Sequence, residues 1–117
     1  MEANDFENTI ALANEMVKLD PVDEKTLAAI ALCYQCLNNY DHAVVFYKQA
    51  IALKTDFLEA WVNLGSAFKE QGKLDGAIEA YTKAISINPD YADTYNNMGI
   101  VLKEQGKMNE AIESYSK

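Results

Sequence analysis

The chain contains no arginine, one histidine (His42) and two cysteines (Cys33 and Cys36). Arginine is the side chain best suited to bidentate contacts with phosphate. Ten lysines against 18 acidic residues leave a net charge of −8. A nucleic-acid backbone requires clustered cations, so this balance argues against nucleic-acid binding. Two cysteines are also too few for the disulfide framework of a small secreted domain.

Long apolar runs are missing as well. The longest, from Leu27 to Tyr34, has 8 residues, whereas a helix that crosses a bilayer needs about 18 or more. The first five residues include two acidic residues, Glu2 and Asp5, and no basic one, whereas a secretory signal is basic and then apolar. We therefore expect a soluble, cytoplasmic protein with no membrane partner. Half of the 117 residues are apolar and 24% are charged, which is typical of one domain or a short array of small units.

The few residues suited to catalysis or metal binding do not form a recognisable site. Cys33 and Cys36 have the spacing of a redox pair, but they fall near the end of a predicted helix, where the helix dipole does not lower a thiol pKa. A zinc site needs four ligands, and His42 is the only imidazole. We expect no metal, no cofactor and no catalytic residue. Cys33 is expected to pack in the core, Cys36 to face a groove, and His42 to serve in a loop or a helix cap.

The chain matches itself after a shift of 34 residues. Residues 58–83 aligned with residues 92–117 share 12 identities in 26 positions, and residues 24–57 aligned with residues 58–91 share 6 in 34. Within each unit, apolar residues at spacings of three and four predict two amphipathic helices. Asn38, Gly72 and Gly106 occupy the turn between them, and Gly suits a left-handed helix end. Asp56 and Glu59 predict a capping box before one first helix. Gly65 and Gly99 lie mid-helix in one register, which predicts close helix contact.

These residues resemble the tetratricopeptide repeat signature. In the second unit the matching residues are Trp61, Leu64, Gly65, Phe68, Ala77, Tyr81, Ala84 and Pro89, and in the third they are Tyr95, Met98, Gly99, Leu102, Ala111 and Tyr115. The first unit departs from the signature at Leu27, Ala31, Asn38 and Thr55. The resemblance implies an all-α, right-handed superhelical solenoid of antiparallel helix pairs. We expect a leading helix over residues 1–23, repeats over 24–57 and 58–91, and a truncated repeat over 92–117, as in a fragment of a longer array.

The resemblance also implies a non-catalytic scaffold that binds a polypeptide segment in a concave groove lined by the first helices. The groove register of units two and three contains Glu59, Val62, Asn63, Ser66, Lys69, Asp93, Asn96, Asn97, Ile100 and Lys103. Asn63 and Asn97 are expected to hydrogen-bond a peptide backbone, because an amide offers both a donor and an acceptor. This is similar to the asparagine ladder of O-linked N-acetylglucosamine transferases. Lys69 and Lys103 would contact acidic groups. The floor would consist of Val62, Ser66 and Ile100.

Several alternatives stay open at this point. The two asparagines are equally compatible with a solvated helix face. The array also fits the recognition arm of a larger enzyme such as a glycosyltransferase, or a self-assembling module whose incomplete terminal repeats stack on other copies. The carboxylate clamp of chaperone-binding repeats is not expected. Of the five clamp positions only Asn63 matches, and Asp93 would repel an anion.

Overall fold

The computed structural model describes residues 23–116, which form five α-helices and, in that range, no strand. The helices are α1 (Glu24–Cys36), α2 (Tyr40–Leu53), α3 (Leu58–Glu70), α4 (Leu74–Ile87) and α5 (Ala92–Ser116). Consecutive helices pack together, α1 also contacts α3, and α3 also contacts α5. Each unit thus touches only its neighbours, as in a solenoid, which confirms the expected all-α fold. The leading helix expected over residues 1–23 falls outside the described residues apart from Asp23.

Side chains cap the two helices of the first unit. Asp23 accepts a hydrogen bond at its Oδ1 from the Thr26 amide at 2.7 Å, and this bond lowers the pKa of the Asp23 carboxyl. Asn39 accepts at its Oδ1 from the His42 amide at 3.4 Å, and the same oxygen lies 2.8 Å from His42 Nδ1. The His42 ring stacks on Tyr34, with 5.0 Å between the ring centroids. His42 therefore lies in the first turn of α2, in contact with the residue that caps it.

The capping box predicted from Asp56 and Glu59 is wrong. Phe57 is the residue that precedes α3, and no side chain makes a cap hydrogen bond there. The Phe57 side chain instead packs against a hydrophobic cluster to which α1, α2, α3 and α4 all contribute. Apolar packing at this junction thus takes the place of the expected polar cap.

The turns of the first two units have the same backbone conformation although their residues differ. Asn38 has φ of 62° and Gly72 has φ of 79°. Both values fall in the left-handed region, which glycine enters freely and asparagine tolerates better than other residues. The departure of Asn38 from the repeat signature therefore leaves the turn intact.

Gly65 allows α3 and α4 to approach each other closely. A Cβ placed on Gly65 would lie 2.6 Å from Tyr81 Cε1, and the Tyr81 side chain is completely buried. The close contact predicted for Gly65 is thus confirmed. The same prediction for Gly99 is wrong, because nothing lies within 4 Å of a Cβ at that position.

The third unit is not a helix pair. Instead of turning at Gly106, α5 runs for 25 residues from Ala92 to Ser116. Gly106 therefore has helical backbone, in contrast to Gly72. The local preference is small, because a helical glycine costs only about 1 kcal/mol relative to alanine. A turn at this position needs a second helix that packs back, and that packing is absent between residues 92 and 116. The separate second helix expected after Gly106 is therefore a wrong prediction.

Thr94 gives a stability prediction. Its side chain is completely buried, and its Oγ1 has no hydrogen-bond partner. Ala60 occupies the same register one repeat earlier and is also buried. We expect Thr94→Ala to raise the free energy of unfolding by about 1 kcal/mol, because it removes a buried hydroxyl that has lost its contact with water. Urea denaturation followed by circular dichroism measures this, and a loss of stability would contradict it.

Candidate functional site

The first helices form one side of the stack, which we call the groove face: α1, α3 and the first half of α5. Between α1 and α3 this face contains a depression of about 350 Å³. It is lined by Lys25, Ala28, Ala29, Leu32, Phe57, Glu59, Ala60 and Asn63. Its lining thus combines small and apolar side chains with one amide, one cation and one anion. Two of the predicted site residues, Asn63 and Glu59, lie here.

Asn63 is half-buried and interacts with the repeat before it. The Tyr47 hydroxyl donates a hydrogen bond to Gln35 Oε1 at 2.7 Å. Burial raises the pKa of the Tyr47 hydroxyl well above its usual range, and a hydrogen bond from the Asn63 side chain acts in the opposite direction. Asn63 thus lies beside the Tyr47 hydroxyl at the edge of the depression, while that hydroxyl donates its own hydrogen bond to Gln35.

The next repeat has a different arrangement around its buried tyrosine. The Tyr81 hydroxyl lies 3.0 Å from Ser66 Oγ, which also hydrogen-bonds the Val62 carbonyl oxygen at 3.3 Å. Burial raises the pKa of Tyr81, and its hydrogen bond with Ser66 opposes that shift. Ser66 therefore has partners within the protein. Asn97 lies in the same register as Asn63 and is also half-buried.

The other predicted site residues differ in accessibility. Val62 is 9% exposed and belongs to the hydrophobic cluster between α3, α4 and α5, so it supports the groove face from beneath. Lys69 is half-buried, while Ile100 is 46% exposed. Glu59, Asp93, Asn96 and Lys103 are also exposed. Charged and amide side chains therefore dominate the accessible part of the groove face.

Residues outside the prediction also shape this site. Phe57 and Ala60 line the depression, although the sequence pattern gave no reason to select them. The Tyr47 hydroxyl, which hydrogen-bonds Gln35, lies beside Asn63. A buried tyrosine usually needs a hydrogen-bond partner for its hydroxyl, and this rule provides the signal that could have linked the two residues.

The cysteines agree with the expected placement only in part. Cys36 is exposed, and Cys33 is partly buried rather than fully packed in the core; both are free thiols. Desolvation raises the pKa of the Cys33 thiol, and the neighbouring Cys36 adds to the shift. Within residues 23–116 no group of three potential metal ligands comes together. No helix in the described range is long and apolar enough to cross a membrane.

A second depression, of about 260 Å³, contains none of the predicted site residues. It is lined by residues of α2, α3 and α4, among them Trp61, Phe68 and Lys48. The Lys48 ammonium lies 5.5 Å from the centre of the Phe68 ring. These aromatic residues also pack against the core, so repeat packing accounts for this surface.

Comparison with known proteins identifies the family. A family model described as TPR repeat matches residues 31–72 and again residues 65–106, which together make up more than half of the chain. The chain belongs to the tetratricopeptide repeat (TPR) family. Its helix pairs therefore correspond to TPR units, and Asn63 and Asn97 lie on the first helices of two successive units.

Individual relatives show how far this similarity extends. A curated Arabidopsis thaliana protein, the probable UDP-N-acetylglucosamine–peptide N-acetylglucosaminyltransferase SEC, is 32% identical over 74 residues, which are 63% of this chain and 8% of that protein. The crystal structure of MamA is 28% identical with a TM-score of 0.80, and the match covers 92% of this chain and 63% of MamA. The first TPR of Spaghetti (RPAP3), bound to the HSP90 peptide SRMEEVD, is 18% identical with a TM-score of 0.84 and coverage of 88% and 82%. This last likeness is one of fold alone.

Proposed function

We propose that this TPR array is a non-catalytic scaffold that binds an extended polypeptide segment along its groove face. The observation that carries the proposal is the depression of about 350 Å³ between α1 and α3, where the Asn63 amide adjoins the apolar Ala28 and Leu32. A peptide needs such a mixture, because its backbone requires donors and acceptors while its side chains require apolar contacts.

The position of Asn63 favours a role in backbone recognition. Its side chain lies at the edge of the depression, beside the Tyr47 hydroxyl. An amide offers both a donor and an acceptor, so it can pair with the N–H and C=O groups of an extended peptide backbone. Asn97 would provide the second contact one repeat further along the same segment.

The charged residues of the groove face indicate which peptide segments it would favour. The accessible groove residues include Lys103, the acidic Glu59 and Asp93, and, in the first unit, Lys25. Lys69 and Lys103 would contact acidic side chains of the segment, and Asp93 would favour a basic one. A peptide that ends in a carboxylate near Asp93 would be repelled. The HSP90 peptide held by the Spaghetti TPR is therefore not the partner that this groove favours.

The asparagine pair gives the central test. The probe is a peptide selected for binding to the wild-type protein from a random peptide library. We expect the double variant Asn63→Ala/Asn97→Ala to bind this peptide about 10-fold more weakly than the wild type, and each single variant to lose less affinity. The reason is that each lost hydrogen bond contributes about 0.5–1.5 kcal/mol. Isothermal titration calorimetry measures the affinities, and circular dichroism checks that helicity is retained.

A matched control tests whether the loss of affinity comes from the groove or from removing any amide side chain. Gln49 is exposed on α2, away from the first helices, so Gln49→Ala should leave the affinity unchanged. Full-strength binding by the double asparagine variant would refute the assignment of the groove. Equal losses in the Gln49 variant would refute it too.

A second candidate function rests on the similarity to the Arabidopsis transferase. We propose as the alternative that the array is the substrate-recognition arm of a larger enzyme. The natural open reading frame distinguishes the two. A catalytic domain in the same frame supports the arm, and a stop codon directly after the repeats supports the independent scaffold.

A further inference from the structure

The groove face is apolar between α1 and α3, which we call the first junction, and polar between α3 and α5, the second junction. Ala29 occupies the position at which the next repeat has Asn63, and Leu32 the position at which it has Ser66. An amide and a hydroxyl are thus replaced by apolar side chains in α1. Ala29 is exposed and Leu32 is 47% exposed, so both can be reached from the groove.

The depression at the first junction has the size and the lining for a large side chain. Its volume is about 350 Å³, and its lining includes the small Ala28 and Ala60 beside Leu32 and Phe57. Pockets that bind ligands begin at about 300 Å³ and are mostly apolar. An aromatic side chain buries about 150–250 Å² of surface and packs well on another aromatic ring, here that of Phe57. The depression therefore suits an aromatic side chain of a bound segment.

Three charged residues follow one edge of the groove face. Lys25, Glu59 and Asp93 are spaced by 34 residues, and all three are exposed. Each is the second residue of its first helix. The connections between consecutive helices are short, so consecutive helices are antiparallel and α1, α3 and α5 run in the same direction. The three residues therefore form a row across the stack, positive at α1 and negative at α3 and α5.

The spacing of the helices relates the two junctions to a peptide sequence. Packed helices lie about 8–10 Å apart. A polyproline II segment repeats its side-chain direction every three residues, over about 9 Å, and its backbone has no internal hydrogen bonds. Side chains that enter the first and the second junction therefore belong to residues three positions apart. At the second junction the row is acidic on both sides, which favours a basic side chain.

We propose that the groove face selects a segment in which an aromatic and a basic residue are three positions apart. The aromatic side chain fills the depression at the first junction, and the basic side chain lies between Glu59 and Asp93 at the second. This assignment rests on the proposed scaffold function and adds the side chains by which the groove chooses its partner. The small side chain of Ala29 is essential, because a larger one would occupy the depression.

The peptides that bind the wild-type protein test the assignment. Selection from a random peptide library should yield peptides with an aromatic residue and a Lys or Arg three positions away. Replacing that aromatic residue by Ala should weaken binding about 30-fold in isothermal titration calorimetry, because aromatic anchors are frequent hot spots. Replacing the basic residue by Glu should weaken it about 5-fold or more. Selected peptides without an aromatic residue, or with one whose removal has no effect, would overturn the proposal.

Two matched variants test the depression in the protein itself. Ala29→Phe should fill the depression and weaken binding of a selected peptide about 10-fold or more. Ala52→Phe makes the same change at an exposed position of α2, outside the lining of the depression, so it should bind the peptide as tightly as the wild type. Circular dichroism should show both variants folded. Equal affinities of the two variants would place the aromatic residue elsewhere and overturn the proposal.

The double variant Asn63→Ala/Asn97→Ala separates this proposal from the proposed function. If the double variant loses affinity while Ala29→Phe keeps it, the peptide lies along the groove face but places no side chain in the depression, so only the present proposal fails. If both keep full affinity, the peptide binds elsewhere and both proposals fail. Loss of affinity in both supports both.

Discussion

Replacement of Gly65 by alanine should lower the free energy of unfolding by about 2 kcal/mol. The added Cβ would lie 2.6 Å from Tyr81 Cε1, 2.8 Å from Cδ1 and 2.9 Å from Cζ. These atoms belong to a ring that is completely buried in the cluster of α3, α4 and α5. The ring cannot move without shifting α4 or leaving its rotamer, and overpacking of this kind typically costs about 1–3 kcal/mol, or occasionally more. The gain of about 1 kcal/mol in helix propensity offsets only part of that cost.

Gly99 provides the matched control. It is the same residue in the same register of the next first helix, yet a Cβ there meets nothing within 4 Å. Gly99→Ala should therefore stabilise the protein by up to about 1 kcal/mol. Urea denaturation of Gly65→Ala and Gly99→Ala measures whether the free energy of unfolding falls in the first and rises in the second. Equal effects of the two substitutions would contradict the close contact between α3 and α4.

A double-mutant cycle identifies the cause of the loss. In a Tyr81→Leu background the ring that opposes the new methyl group is gone. Gly65→Ala should then cost less than half of what it costs in the wild type, because the two sites are in direct contact and their effects do not add. Additive effects would place the strain somewhere other than at Tyr81.

The second large effect concerns Gly72 and Gly106, where replacement by alanine should change the stability of the protein in opposite directions. Gly72 has φ of 79° and nothing within 4 Å of a Cβ, so Gly72→Ala should destabilise the protein by about 1 kcal/mol through its backbone alone. Gly106 lies within α5, so Gly106→Ala should stabilise it by about 1 kcal/mol. Thermal unfolding followed by circular dichroism would separate the two variants by roughly 10 °C.

Asparagine provides the control for this pair. Asn38 has φ of 62° at the equivalent turn, so Gly72→Asn should cost less than Gly72→Ala. If Gly106→Ala instead destabilised the protein as much as Gly72→Ala, the third unit would have to turn at Gly106. That outcome would show that α5 is not continuous in solution.

The fold was predictable from the 34-residue register. The spacing of apolar residues around Trp61 and Tyr81 predicted two amphipathic helices per unit, and the structure contains such pairs over residues 24–53 and 58–87. These predictions hold because an amphipathic helix in an all-α protein buries its apolar face against another helix. The spacing of the apolar residues that form this face can be read from the sequence.

The candidate site was predictable only in outline. The register placed Asn63 on the first helix of its unit, and the structure places it at the edge of the depression between α1 and α3. Its contact with the Tyr47 hydroxyl was not predictable, because it joins two repeats. The 34-residue register also placed Ser66 and Ile100 at equivalent positions on the floor of the groove. Ser66 instead has partners in Tyr81 and Val62, whereas Ile100 is 46% exposed.

Local chemistry sufficed wherever one conformation is strongly preferred, as at Asn38 and Gly72, whose left-handed backbone ends a helix without help from distant residues. It did not suffice at Gly106, where the sequence around the turn repeats that of Gly72 but the helix continues. Helix and turn differ there by only about 1 kcal/mol in local preference. A packed second helix is stabilised by several times that amount through buried apolar area. Long-range packing therefore decides whether the third unit folds back, and that packing depends on which surfaces meet in three dimensions.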